Sequence, residues 1–102
     1  MTIMRDIYAY RQVAVQSILI GAVLQIRPMA GQAFATSLSV QCARRLRDPG
    51  LHPVGTRFLL LAKLTDRQGG APFLYAYHGD PDVVLSASDA KAFLAEFRRG
   101  RI

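Results

Sequence analysis

Thr56-Arg-Phe-Leu-Leu-Leu-Ala-Lys-Leu64 runs through Thr65-Asp-Arg-Gln-Gly-Gly70 into Phe73-Leu-Tyr-Ala-Tyr-His78. In the first run Phe58, Leu60, Ala62 and Leu64 fall on one side, and Arg57, Leu59, Leu61 and Lys63 on the other. This is the two-residue period of a β-strand. Both sides carry apolar residues, which predicts a central position in a sheet. The polar connection ends in two glycines that accept positive φ, so the runs form an antiparallel hairpin. On the return strand Phe73, Tyr75 and Tyr77 share one face, and Leu74, Ala76 and His78 the other. Alternating aromatics usually lie under cover, so the aromatic face is expected to be core beneath a helix.

Upstream, Pro28-Met-Ala-Gly31 separates Ala22–Arg27 from Gln32–Gln41, which read as two extended runs around a turn. Phe34, Thr36, Leu38 and Val40 fall on one face and Ala35, Ser37, Ser39 and Gln41 on the other, as in a half-buried antiparallel strand. A helix is expected from Asp6 to Ile18, where Ile7, Tyr10, Ala14 and Ile18 keep helical spacing. The β-branched Val13, Val15, Ile18 and Ile20 leave a strand open as the alternative. Cys42 to Leu46 reads as one helical turn, stopped by Asp48-Pro49-Gly50 and Pro53.

Downstream, Val83–Leu85 reads as a short strand and Ser86 as the cap of a helix, with Asp89 three residues on. Ala90, Phe93, Leu94 and Phe97 form its apolar stripe; Arg98 and Arg99 suit its negative end, and Gly100 closes it. The expected fold is α+β. Antiparallel hairpins form a curled sheet or partial barrel, packed against a C-terminal amphipathic helix, with a further helix at the N-terminus, in a single domain over residues 1–102.

The segment Pro53-Val-Gly-Thr-Arg-Phe58, with Lys63-Leu-Thr-Asp-Arg67, Gly69-Gly70 and Pro72-Phe-Leu-Tyr75, resembles a hairpin of small bacterial proteins, some of mobile-gene-cassette type. It covers about a quarter of the chain. The resemblance implies a bacterial protein and brings no activity, cofactor or site residue with it.

The chain has 102 residues, 51% apolar and 20% charged, which suits one globular core and excludes disorder, collagen and coiled-coil arrays. Thirteen Lys and Arg against seven Asp and Glu give +6, a balance that favours polyanions without identifying one. The single Cys42 excludes an internal disulfide and a cysteine-based zinc site, which points to the cytoplasm. Arg5 and Arg11 before the apolar Val13–Leu24, with Ala33-Phe34-Ala35 beyond, have the outline of a signal peptide. Gln16, Ser17, Arg27 and Pro28 interrupt that outline. The uncharged run Gln12–Ile26 is fifteen residues, short of the ~20 that cross a bilayer, so no membrane partner is expected.

The enzyme-like cluster is His78, Asp80 and Asp82, since a histidine beside carboxylates can act as a general base or bind a metal with them. The same residues also make an ordinary polar turn, and His52 beside Pro53 is expected to be a solvated loop residue. Gly69-Gly70 lacks the Lys-Ser/Thr of a phosphate loop, no Gly-x-Ser-x-Gly elbow occurs, and Cys42 is expected to be a covered thiol. No metal or cofactor is expected. A nucleic-acid surface would combine Tyr75 and Tyr77 with Arg57, Lys63 and Arg67, and use Arg44, Arg45 and Arg47 on phosphates. A sheet apolar on both faces favours pairing with a second copy. The expected function is a non-catalytic interaction module that self-associates as a homodimer. The alternatives are a nucleic-acid-binding domain and a small metal- or His/Asp-dependent enzyme.

Overall fold

The computed structural model of the chain describes residues 9–100. The strands are β1 (Arg11–Ile20), β2 (Val23–Pro28), β3 (Val40–Gln41), β4 (Arg57–Thr65), β5 (Phe73–Ala76) and β6 (Val84–Leu85), and one helix follows, α1 (Ala87–Arg98). They form one sheet in the order β2-β1-β4-β5-β3, with β6 beside the start of β4. The sheet curls into a nearly closed barrel whose remaining gap lies between β2 and β3, where the Arg27 side chain donates to the Ser37 carbonyl. The fold is the α+β arrangement expected, with β4 central and the β4–β5 hairpin antiparallel.

Register decides which residues point inward. Val13 faces Leu60 and Val15 faces Phe58 across β1 and β4; Ala62 faces Ala76 and Leu64 faces Leu74 across β4 and β5. The interior is filled by Val13, Val15, Ile26, Phe58, Leu60 and Leu74, with Leu46 entering from a 3₁₀ turn at Arg44–Arg47. Each such side chain contributes roughly 1.5–3 kcal/mol when fully buried. The buried Ser17 hydroxyl accepts from the Gly55 N–H at 3.0 Å, so its polarity is satisfied.

The α1 cap forms as its sequence predicts, with the Ser86 hydroxyl accepting from the Asp89 N–H at 3.0 Å. Ala90 is buried, and Phe93, Leu94 and Phe97 are half-buried.

Three expectations change. The stretch expected as a helix ending at Ile18 is strand β1 from Arg11 onward; the part before residue 9 lies outside the described residues. Strand geometry turns Val13 and Val15 together into the barrel, whereas a helix would restrict their χ1 and direct them 200° apart. Gln32–Gln41 is extended only at Val40–Gln41, which pairs with β5 and in parallel, so the hairpin expected around residues 28–31 is absent. The partner of β2 is instead β1, through a Gly21-Ala22 turn with Gly21 at φ +63°, where a glycine carries no Cβ penalty. β2 ends at Pro28, and beyond it the Gln32 side-chain amide acts as a substitute strand, donating to the Ala14 carbonyl at 2.7 Å and accepting from its N–H at 3.1 Å. Finally, Phe73 and Tyr75 are only half-buried and Tyr77 is exposed, while Leu74 and Ala76 form the core face of β5. The inward face of β4 is Phe58, Leu60 and Ala62, and register turns the aromatics to the outside with Lys63.

Candidate functional site

A polar clamp lies where the loop after β5 crosses the 3₁₀ turn. Arg45 holds it together. Its Nε donates to Asp82 Oδ1 at 2.7 Å and Oδ2 at 2.9 Å, its NH1 donates to the His78 carbonyl at 3.0 Å and its NH2 to the Asp80 carbonyl at 2.9 Å. A guanidinium suits this task because its donors fan out in one plane. Beside the loop is a cavity of about 250 Å³ lined by the apolar Leu46, Leu59, Leu61 and Val83 together with Gln12 and Asp80.

Of the cluster expected at His78, Asp80 and Asp82, Asp82 gives its carboxylate and the other two their carbonyls to Arg45. His78 contributes its carbonyl to Arg45, and its ring lies 4.8 Å from that of Tyr77. The histidine beside Asp82 is His52, with Nε2 3.7 Å from Oδ2, which exceeds a hydrogen bond. His52 is not the solvated loop residue expected: its side chain is half-buried and meets Phe58 edge to face at 5.0 Å. Among the described residues no three His, Cys, Asp or Glu side chains gather as a metal site would require. The Asp48 turn that folds His52 back, with the His52 N–H donating to the Asp48 carbonyl at 2.8 Å, was the one sequence signal for this contact.

Cys42 lines the same cavity, and burial pushes its thiol up to about 11 against the opposing pull of Arg47 and Arg45. At pH 8 only about a thousandth of it is then thiolate, the reactive form. Iodoacetamide should therefore modify Cys42 in the folded protein at least ~10-fold more slowly than in urea-unfolded protein at pH 8, with a rate still rising above pH 10. Equal rates in the two states would show that the thiol is not covered.

The residues expected on a nucleic-acid surface divide among three places. Lys63 pairs in register with Tyr75 and carries its Nζ 5.6 Å above the Tyr10 ring, and Arg67 lies 5.2 Å over Phe73. Arg44 and Arg47 are exposed on the 3₁₀ turn, where Arg45 is committed to the loop. Arg57 lies apart from both, in a groove against α1 that it shares with Lys91 and Arg98. The spacing of Lys91 and Arg98, seven residues on one helix, was legible; their approach to Arg57 depends on how α1 docks. Compared with known families, curated proteins and solved structures, the chain matches none. No described helix is long and apolar enough to cross a membrane.

Proposed function

We propose that the protein is a non-catalytic interaction module that pairs with a second copy of itself through the tip of the β1–β2 hairpin. One observation carries this reading. The β1–β4 ladder ends at Gln16 opposite Arg57, and from Ile18 onward β1 pairs with β2 alone, so the tip projects past the sheet. On it Leu19 is 58% exposed and Val23 57%, with Ile20 and the neighbouring-loop Val54 also exposed. Exposed apolar residues gathered at one projecting end favour a partner surface over solvent.

The occupant follows from charge. Two copies each carry +6, so they repel except where charge is absent, and the hairpin tip lies within Gln12–Ile26, an uncharged run of fifteen residues. An antiparallel contact between two such tips is self-complementary about a two-fold axis, as a homodimer requires. The surface is small, which sets the expected dissociation constant at about 10 µM.

Size exclusion with light scattering tests this. At ~100 µM the protein should approach twice its 11.2 kDa mass, and dilution to ~1 µM should return the monomer. Leu19→Glu with Val23→Glu should leave a monomer with unchanged far-UV circular dichroism at every concentration. A wild-type protein monomeric at 100 µM, or a dimer indifferent to the two glutamates, overturns the reading.

A further inference from the structure

Between α1 and the Met29-Ala30-Gly31 turn runs an open groove of about 420 Å³ with Arg57, Lys91 and Arg98 along it and Leu94 and Ala90 in its wall. Among the described residues no carboxylate lines it. The acids of α1 are elsewhere: Asp89 stands in the first turn, where its N–H caps onto Ser86, and Glu96 accepts from Arg99 at 3.0 Å. Among the described residues none of the three groove cations has a hydrogen bond or ion pair through its side chain, and Arg57 is half-buried. A partly desolvated guanidinium without an acceptor is unfavourable, and an anion entering the groove removes that penalty.

We infer that this groove binds the phosphate backbone of a single-stranded nucleic acid. The geometry selects the ligand. Lys91 and Arg98 are seven residues apart on one helix face, about 10 Å along its axis, with Arg57 on the opposite wall. An isolated phosphate reaches one or two of these charges at a time, whereas a strand laid along the groove meets all three. Among the described residues the wall between them is aliphatic and without an aromatic ring, so it offers sugars an apolar surface and bases no stacking platform. Recognition is therefore through charge and independent of base sequence. Two of the three cations, Lys91 and Arg98, lie outside the surface that the sequence pattern of Arg57, Lys63 and Arg67 with aromatics had suggested, and this site stands independently of self-association.

Fluorescence anisotropy with a labelled 20-nucleotide mixed-sequence single strand, titrated across 20–200 mM NaCl, provides the test. Three phosphate contacts give a slope of log K against log salt near −2, at about −0.7 for each contact. Arg57→Gln with Lys91→Gln and Arg98→Gln should weaken binding at least ~10-fold at low salt and flatten the slope by about 2. Arg98→Gln alone, at an exposed position, should flatten it by about 0.7 without affecting folding. A variant with the same loss of charge elsewhere, Arg44→Gln with Arg47→Gln and Arg67→Gln, should bind within about twofold of wild type. The inference is overturned by no binding at 20 mM salt, by equal losses in the two triple variants, or by tighter binding of a duplex of the same sequence.

Discussion

Phe58→Ala should lower the stability of the fold by about 3–5 kcal/mol, the usual cost of emptying a fully buried aromatic site. Phe58 has no exposed surface, faces Val15 across β1 and Val84 across β6, and receives the His52 ring on its edge. It thus joins the barrel interior to the loop that carries His52. A domain of this size has a net stability of only about 5–15 kcal/mol, so the variant should sit near its unfolding threshold at 37 °C. Urea unfolding followed by circular dichroism measures the effect. Phe58→Leu, which retains most of the volume, should lose less than about half as much. Leu61→Ala, on the outer face of the same strand and 47% exposed, should change stability by less than ~1 kcal/mol. If Phe58→Ala costs no more than Leu61→Ala, the barrel interior is not packed around Phe58.

That Phe58, Leu60 and Ala62 share a face was legible before any coordinates, because a period of two places them together; that this face is the inward one was not, because Leu59 and Leu61 opposite are apolar too. The cap at Ser86 was legible for a similar reason: it is local, a hydroxyl and an N–H three residues apart. What the pattern could not settle is which face of a strand meets the core when both are apolar. In β5 the aromatic triad is the more hydrophobic face by composition, yet register with β4 turns the smaller Leu74 and Ala76 inward. The Val13–Ile20 stretch was ambiguous because β-branched residues at mixed spacing satisfy two periods, and pairing with β2 and β4 on either side decides it. The parallel β3–β5 contact spans more than thirty residues and has no local signature. The candidate site suffers the same limit: Arg45 and Asp82 are 37 positions apart, and nothing in either neighbourhood announces the other.

Removing that long-range contact should have the second large effect. Arg45→Ala leaves the Asp82 carboxylate and the carbonyls of His78 and Asp80 without their donor. Charge-assisted hydrogen bonds contribute about 1.5–3 kcal/mol each when buried, but the Arg45 side chain is 40% exposed and that of Asp82 24%, so solvent screening reduces the whole set to about 1–2 kcal/mol. The loss should be local. Hydrogen exchange should quicken about tenfold or more at the Leu59 amide, which donates to the Val83 carbonyl at 2.9 Å, and at the Asp80 amide, which donates to Tyr77. The amides between β1 and β4 should keep their protection, because the clamp lies outside that ladder. Arg45→Lys should restore little, since one ammonium cannot reach a carboxylate and two carbonyls in the directions the guanidinium spans. The loop also lines the cavity of about 250 Å³, so its release should open the cavity and speed alkylation of Cys42 in the same variant. Unchanged exchange at Leu59 and Asp80 would mean that Pro81 and Val83, through their apolar contacts, hold the loop without help from Arg45.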